Sequence, residues 1–451
     1  MRSAGRSLVR RNPDRKKAAI VTFGCAKNLV DSEVMAGRLL ALGYSLIAEI
    51  GKADVLVLNT CGFILPAREE ADGAIRAALA EKAVRPDLEI VVTGCYVEKD
   101  GPELSRRFPG VDAWLGVKDY GRIADAVEGR RFRHGRRTFL YDHRTPRARS
   151  TPPGWAYLKV SEGCSHACAF CTIPSIKGPY RSRPAASIVA EAQVLEEQGV
   201  KELVLISQDT TFYGRDRGQR DGLALLFLKL LRNTGLPWIR FLYGYPGEIS
   251  DALLEAMSDP RVCPYFDLPF QHAAASILRR MRRATDAGRA LRLLEKIRKR
   301  LPEAAVRTSL IVGFPGEGPK EFAELSAFVR EARFDHLGVF TYCRENGTPA
   351  AAFGETVTEA EKERRRAVLM EIQADVSASK LKAWTGRILE VVRDDPRPEA
   401  PGRLVGRTRF QAPEVDGAVF IRPTHRPWKS PLGRVKITSS GTYDLRGVFI
   451  P

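Results

Sequence analysis

The sequence predicts an α/β protein of three successive domains: an N-terminal α/β domain, a partial (β/α)6 parallel barrel and a small antiparallel β-barrel at the C-terminus. Three observations predict it. Short, continuous apolar runs alternate with helical stretches, the mark of parallel strands covered on both faces. After a Pro-rich break at residues 145–154 the alternation restarts and repeats six times. Residues 383–451 are instead rich in Gly, Pro and Arg, with short β-branched runs.

The elements follow in order. Residues 18–23 read as a strand, and Asn28 is the expected cap of the next helix, with Val30, Val34, Leu39 and Leu42 at helical spacing and Gly43 as its stop. Residues 54–58 and 89–92 read as the second and third strands, and Pro66 opens the helix between them. In the second domain the apolar runs end near Val160, Ile206, Tyr243, Phe270, Val312 and Tyr342. The helix over residues 187–199 takes Ser187 as its cap and Gly199 as its stop. Right-handed crossovers curl six such units into a partial barrel, whose chemistry belongs at the C-terminal strand ends. A charged helix starts at Thr358, where Thr358 and Glu361 make a capping box and Val368, Leu369, Ile372 and Val376 form the buried stripe. Beyond it, β-branched runs at residues 388–392, 403–408, 418–421 and 435–438 read as a barrel of the kind often used to hold RNA. The expected boundaries are a disordered basic arm at 1–17, domains at 18–133, 155–382 and 383–451, and a linker at 145–154.

Composition excludes whole function classes. With 44% hydrophobic and 28% charged residues the chain is not a disordered polymer. It has no run of eighteen apolar residues, so no membrane span is expected. Residues 1–17 hold seven basic residues and one acid with no apolar stretch behind them, unlike a secretory leader, so a cytoplasmic location is expected. The formal net charge of +18 suits a polyanionic neighbour such as nucleic acid, and equally a solubilising surface.

The eight cysteines sort by context. Cys25, Cys61 and Cys95 each lie just past the end of an N-terminal strand, and in an open parallel sheet those ends share the edge where ligands bind. The same placement also suits three buried thiols at tight turns. Cys164, Cys168 and Cys171 form one compact run on the loop leaving the first barrel strand. Three thiolates on a 4Fe-4S cluster leave one iron open to a small chelating molecule. A zinc site with His166 as fourth ligand is the alternative, although structural zinc loops favour separated cysteine pairs. Cys263 and Cys343 read as buried small hydrophobes.

Residues 162–171 (EGCSHACAFC) resemble the signature of the radical S-adenosylmethionine superfamily, with an aromatic residue before the third cysteine. The resemblance implies that the open iron binds S-adenosylmethionine and that an electron from the cluster yields a 5′-deoxyadenosyl radical. Residues 308–317 (TSLIVGFPGE) resemble the superfamily's cofactor-side motif. Ser207, Gln208 and Gln271 place polar groups at the same rim, which makes them, with Gly313 and Glu317, candidate contacts for S-adenosylmethionine. Ordinary capping or turn roles are equally open to them.

From about Ala18 onward the chain resembles the methylthiotransferase family: an N-terminal methylthiotransferase domain, a radical S-adenosylmethionine barrel and a C-terminal TRAM barrel. The resemblance implies a second 4Fe-4S cluster on Cys25, Cys61 and Cys95, and insertion of a methylthio group at an unactivated C–H bond. Residues 22–33 (TFGCAKNLVDSE), 267–273 (DLPFQHA) and 411–417 (QAPEVDG) resemble the branch acting on the β-carbon of an aspartate in small-subunit ribosomal protein S twelve. Ala26, where proline is common, and Cys343, where serine is common, depart from the pattern without touching an expected iron ligand. A tRNA methylthiotransferase acting on a hypermodified adenosine, and a non-catalytic iron–sulfur RNA-binding protein, are the alternatives. The expected partner is the ribosomal protein within the small subunit or an assembly intermediate, with RNA contact through the TRAM barrel. Because the ribosomal substrate is itself basic, either Glu414, Asp416 and Asp444 gather on the contacting face or ribosomal RNA contributes to docking.

Overall fold

A computed structural model of the chain describes residues 16–394, 402–424 and 428–451. Of the basic arm expected at 1–17, only Lys16 and Lys17 fall within the described residues, and Lys17 already belongs to the first strand. The chain divides into two compact units. One runs to Phe139 without Phe63–Leu65 and adds Thr145–Ala148; the other holds those three residues, Leu140–Arg144 and Arg149–Pro451.

The first unit is a parallel sheet with helical crossovers. In chain order it contains β1 (Lys17–Thr22), α1 (Ala26–Ala41), β2 (Ser45–Leu46), β3 (Val55–Thr60), α2 (Leu65–Val84), β4 (Glu89–Gly94), α3 (Cys95–Arg107), β5 (Ala113–Leu115) and α4 (Ile123–Val127). The strand order is β2-β1-β3-β4-β5, with every pair parallel. All six residues of β3 are buried, as an apolar run covered on both faces requires. β2 and β5, of two and three residues, are edge strands that the sequence reading did not include. Helix α1 begins earlier than expected: its cap position is Cys25, and Asn28 lies inside the helix, buried. Gly43, at φ +91°, ends it as expected. The proline-rich linker is ordered where it joins this unit. Arg147 pairs with buried Glu33 at 2.6 Å, and Gly37 lies so close that a Cβ there would meet the Pro146 carbonyl oxygen at 2.5 Å.

The second unit opens with β6 (Trp155–Lys159), β7 (Ser161–Glu162), α5 (Ile173–Lys177), β8 (Arg181–Ser182) and α6 (Ala185–Glu197). It continues through β9 (Glu202–Ile206), α7 (Gly222–Asn233), β10 (Trp238–Phe241), α8 (Asp251–Ala256), β11 (Tyr265–Asp267), α9 (Ala275–Arg280), α10 (Ala287–Arg300), β12 (Ala305–Val312), α11 (Pro319–Ala332) and β13 (His336–Thr341). The six expected barrel strands are β6, β9, β10, β11, β12 and β13. They pair in parallel as β10-β9-β6 and β11-β12-β13, with a lone parallel bridge, Ile239 to Val262, at the junction. One core joins Leu158, Leu205 and Phe266 of the strands to Ile188, Leu195 and Phe227 of the helices. Ser187 is not the cap of α6: Pro184 holds that position, and Ser187 is buried within the helix, where Arg183 and the His143 backbone donate to its hydroxyl.

Helix α12 (Glu359–Lys382) is capped by Thr358, whose hydroxyl accepts from the Glu361 amide at 3.3 Å. Only half the capping box forms, because the Glu361 carboxylate is taken by Arg364 and Arg365. The buried stripe includes Leu369 and Val376 but also Lys362, Arg365 and Gln373, so this helix buries charge as well as hydrocarbon.

The last five strands are β14 (Ile388–Asp394), β15 (Leu404–Thr408), β16 (Val419–Arg422), β17 (Leu432–Ser440) and β18 (Leu445–Ile450). They close as β14-β15-β16-β18-β17. Four pairs are antiparallel and β16 with β18 is parallel; β18 escaped the sequence reading.

This barrel is seated at the N-terminal ends of the parallel strands by buried charge. Arg407 of β15 reaches Glu202 at 2.8 Å and Asp394 at 2.6 Å, and Glu202 also takes Arg240 at 2.5 Å. Burial opposes ionisation of Glu202, but the two arginines outweigh it and hold its carboxyl below the usual range. Asp416 accepts from the Tyr265 hydroxyl at 2.6 Å and the Ala412 amide at 2.7 Å, with Arg307 3.6 Å away. Glu414 accepts from the Tyr157 hydroxyl at 2.9 Å, and Asp444 from the Ala418 amide. The expectation that these acids gather on a surface facing a basic substrate is corrected for Asp416, whose side chain is fully buried inside this unit; Glu414 stays exposed, with one oxygen on Tyr157.

Candidate functional site

The loop carrying Cys164, Cys168 and Cys171 is pinned at both ends. β7 pairs antiparallel with β8, and the Cys164 amide donates to the Gly178 carbonyl at 3.1 Å. Gly163 sits at φ +86°, where a Cβ would lie 2.2 Å from the Pro179 oxygen, so the approach excludes a side chain. Beside it, fully buried Glu162 takes Lys159 at 2.8 Å and Lys177 at 3.6 Å. The first lysine precedes the loop and the second follows it. Inside the loop, the Ala169 amide donates to the Met281 carbonyl and its carbonyl accepts from Ala350.

Each of the three sulfurs receives one N–H donor. The His166 amide serves Cys164, the Ile173 amide serves Cys171 at 3.4 Å, and Arg283 Nη1 serves Cys168 at 3.6 Å. Burial nonetheless pushes the Cys164 thiol up to about 11 and Cys171 up to about 12, so bare thiolates here are costly. A donor set of three partly buried sulfurs, already faced by N–H groups, fits an iron–sulfur cluster, whose metal charge compensates the thiolates. No three His, Cys, Asp or Glu side chains among the described residues converge on a single metal ion. A cluster does not need that convergence, since each thiolate binds its own iron. His166 is engaged on one side: Nε2 meets Asp209 at 2.6 Å and the ring stacks on Tyr245 at 4.1 Å. Asp209 is itself fixed by the Thr211 amide and hydroxyl and the Phe212 amide.

The candidate contacts for S-adenosylmethionine divide. Gln208 donates to Glu162, and its own side-chain oxygen is buried without a partner. Gln271 stands at φ +73° between the Ser309 carbonyl and the Ile311 amide, a left-handed conformation unusual for its type. Ser207 faces Thr210 at 3.3 Å inside the barrel. Glu317 is fully engaged, with Arg365 at 2.7 Å, the Gly313 amide at 2.9 Å and His272 at 3.2 Å. A Cβ at Gly313 would meet the Lys362 stem at 2.3 Å, so this glycine makes room for the chain's own lysine. Sequence reasoning missed Arg283, Tyr245 and Lys177. Arg283 lies among Arg279, Arg280 and Arg282, and nothing in the residue types marks which of them faces a sulfur.

In the N-terminal unit, Cys25 is the cap position of α1, Cys61 follows β3 and Cys95 opens α3. The register pairs Thr22 with Asn59 and Thr60 with Gly94, so the three cysteines follow the ends of three adjacent strands. Backbones approach closely there: a Cβ on Gly24 would lie 3.0 Å from the Cys61 sulfur, and one on Gly62 would lie 2.7 Å from the Tyr96 Cα. Asn28 links the three loops. Its amide donates to the Phe23 carbonyl at 3.0 Å and the Thr60 carbonyl at 3.3 Å, while its oxygen accepts from the Cys95 thiol at 3.8 Å. Asn59 returns a bond to the Asn28 carbonyl at 2.9 Å. Three thiols at one sheet edge suit a second cluster by the same donor chemistry.

Comparison with known proteins finds relatives for each part of the chain. Family models match residues 17–116 (the uncharacterized protein family UPF0004), 158–329 (the radical SAM superfamily) and 385–450 (the TRAM domain). "Ribosomal protein uS12 methylthiotransferase RimO" of Trichlorobacter lovleyi is 42% identical over 96% of this chain and 98% of its own. The protein of the same name from Syntrophus aciditrophicus is 43% identical over 94% and 96%. In fold, the radical S-adenosylmethionine methyltransferase TsrM from Kitasatospora setae superposes with a TM-score of 0.56 at 15% identity, over 74% of this chain and 75% of that one.

Proposed function

The chain belongs to the family of ribosomal protein uS12 methylthiotransferases, and we propose that it places a methylthio group on the β-carbon of an aspartate in that small-subunit protein. The observation that carries the reading is one chain with a three-cysteine loop at the C-terminal edge of a parallel barrel and a second three-cysteine set at the edge of its N-terminal sheet. In this reading Cys164, Cys168 and Cys171 hold the radical S-adenosylmethionine cluster, and Cys25, Cys61 and Cys95 hold a second 4Fe-4S cluster. When bound, the first supplies the electron that turns S-adenosylmethionine into a source of a hydrogen-abstracting radical.

The chain's residues hold and shape. The staple of Lys159 and Lys177 on Glu162 fixes both ends of the cysteine loop. Phe170 packs against a hydrophobic cluster that includes Phe314 and Tyr342 next to the loop. In this reading Gln208 and Gln271 contact S-adenosylmethionine. Ser207, Gly313 and Glu317 support that rim from inside, Glu317 by fixing the Gly313 turn. We assign the methylthiotransferase domain to 18–133, the linker to 145–154, the radical S-adenosylmethionine domain to 155–382 and the TRAM domain to 383–451. The TRAM barrel contacts RNA near the substrate, and the work is cytoplasmic. No helix among the described residues is long and apolar enough to cross a membrane.

The test is the mass of uS12 from cells lacking this gene. Loss of the methylthio group is the expected result. Its persistence would overturn the reading, and loss of a tRNA methylthio group instead would move the substrate to RNA.

A further inference from the structure

The three sulfurs of the barrel loop are served unequally. Two receive backbone amides, which are neutral, whereas Cys168 receives the guanidinium of Arg283. That cation is buried, yet no carboxylate pairs with it among the described residues, and its Nε has no acceptor. It is held by the Pro269 carbonyl at 2.5 Å and by the face of Tyr245 at 4.2 Å, the same ring that stacks on His166. A buried cation needs a counter-charge, and the nearest anionic candidate is a thiolate sulfur.

We infer that Arg283 is a positioning residue for the electron: its charge, fixed by Tyr245 and Pro269 against the Cys168 sulfur, raises the reduction potential of the cluster on the barrel loop. The inference rests on the cluster assignment above. A cluster becomes more negative on accepting an electron, so an adjacent cation stabilises the reduced form more than the oxidised one. Hydrogen bonds to sulfur and local charge are the protein's means of setting such potentials. The two amide donors act in the same direction but carry no net charge, so Arg283 contributes most.

The experiment is a redox titration followed by electron paramagnetic resonance. It uses the full chain with Cys25, Cys61 and Cys95 replaced by Ala, so that only the barrel-loop cluster reports. In that background Arg283→Gln is expected to shift the midpoint to more negative potential, and Arg283→Lys to restore part of the shift. Tyr245→Leu, which frees the guanidinium, is expected to give a smaller shift in the same direction, and it carries the test if Arg283→Gln fails to retain iron. An unchanged midpoint with full cluster content overturns the inference. So does a shift as large in Arg283→Lys as in Arg283→Gln, since packing rather than charge would then be responsible. Weakened S-adenosylmethionine binding at an unchanged midpoint reassigns Arg283 to the co-substrate and overturns it too. A parent chain holding no cluster defeats the cluster assignment itself, a result distinct from all of these.

Discussion

At the scale of single residues, the N-terminal site depends on one buried amide. Asn28 satisfies carbonyls from the loops before Cys25 and Cys61 and accepts from Cys95, so its loss leaves buried acceptors without donors. Asn28→Ala is expected to destabilise the N-terminal unit by about 1–3 kcal/mol, the usual cost of an unsatisfied buried group. Denaturant titration measures it, and the iron content of the variant is expected to fall towards that of a single cluster. Unchanged stability would mean that the amide is not what joins the loops. Residue type alone misled the reading at this position. Asn before an apolar periodic stretch is the commonest cap signature, yet here the backbone turn at Gly24 starts the helix at Cys25 and draws Asn28 inward. Arg283 was illegible for the opposite reason, being one of four arginines in five residues, only one of which the fold turns towards a sulfur.

At the scale of elements, the C-terminal barrel is tied to the parallel strands by an ion network. Arg407 is buried with Glu202, and its second carboxylate partner, Asp394, is mostly covered. Arg407→Ala leaves Glu202 and Asp394 with less compensation and is expected to cost about 3–5 kcal/mol, read as a lower thermal midpoint. The pH dependence follows from Glu202, whose carboxyl is held below its usual range in the fold. Its contribution is present above the unfolded value and is lost as pH falls through the depressed folded one. The seat is therefore expected to weaken in acid, and the Arg407→Ala protein is expected to lose less stability on acidification than the parent. Equal acid sensitivity in the two would contradict this. The six parallel strands were legible because each carries a short apolar stretch ending at a polar rim, although Arg240 interrupts β10 and Arg307, Thr308 and Ser309 interrupt β12. β2 and β5 were not, since two or three residues at a sheet edge show no period. Nor was the destination of Asp416: composition counts charges, but only the packing of β15 and its following loop against the strand ends shows that this one is internal.

At the scale of the whole molecule, the account needs two iron–sulfur clusters on one polypeptide, each held by three cysteines from a strand-end edge of its own sheet. The most direct test is iron and sulfide quantification with Mössbauer spectroscopy on protein prepared without oxygen. The parent chain is expected to carry two 4Fe-4S clusters. The Cys164, Cys168 and Cys171 triple alanine variant is expected to keep one and lose cleavage of S-adenosylmethionine. The Cys25, Cys61 and Cys95 variant is expected to keep the other and retain that cleavage while losing methylthiolation. Zinc in place of iron, or a parent chain with a single cluster, would contradict the account.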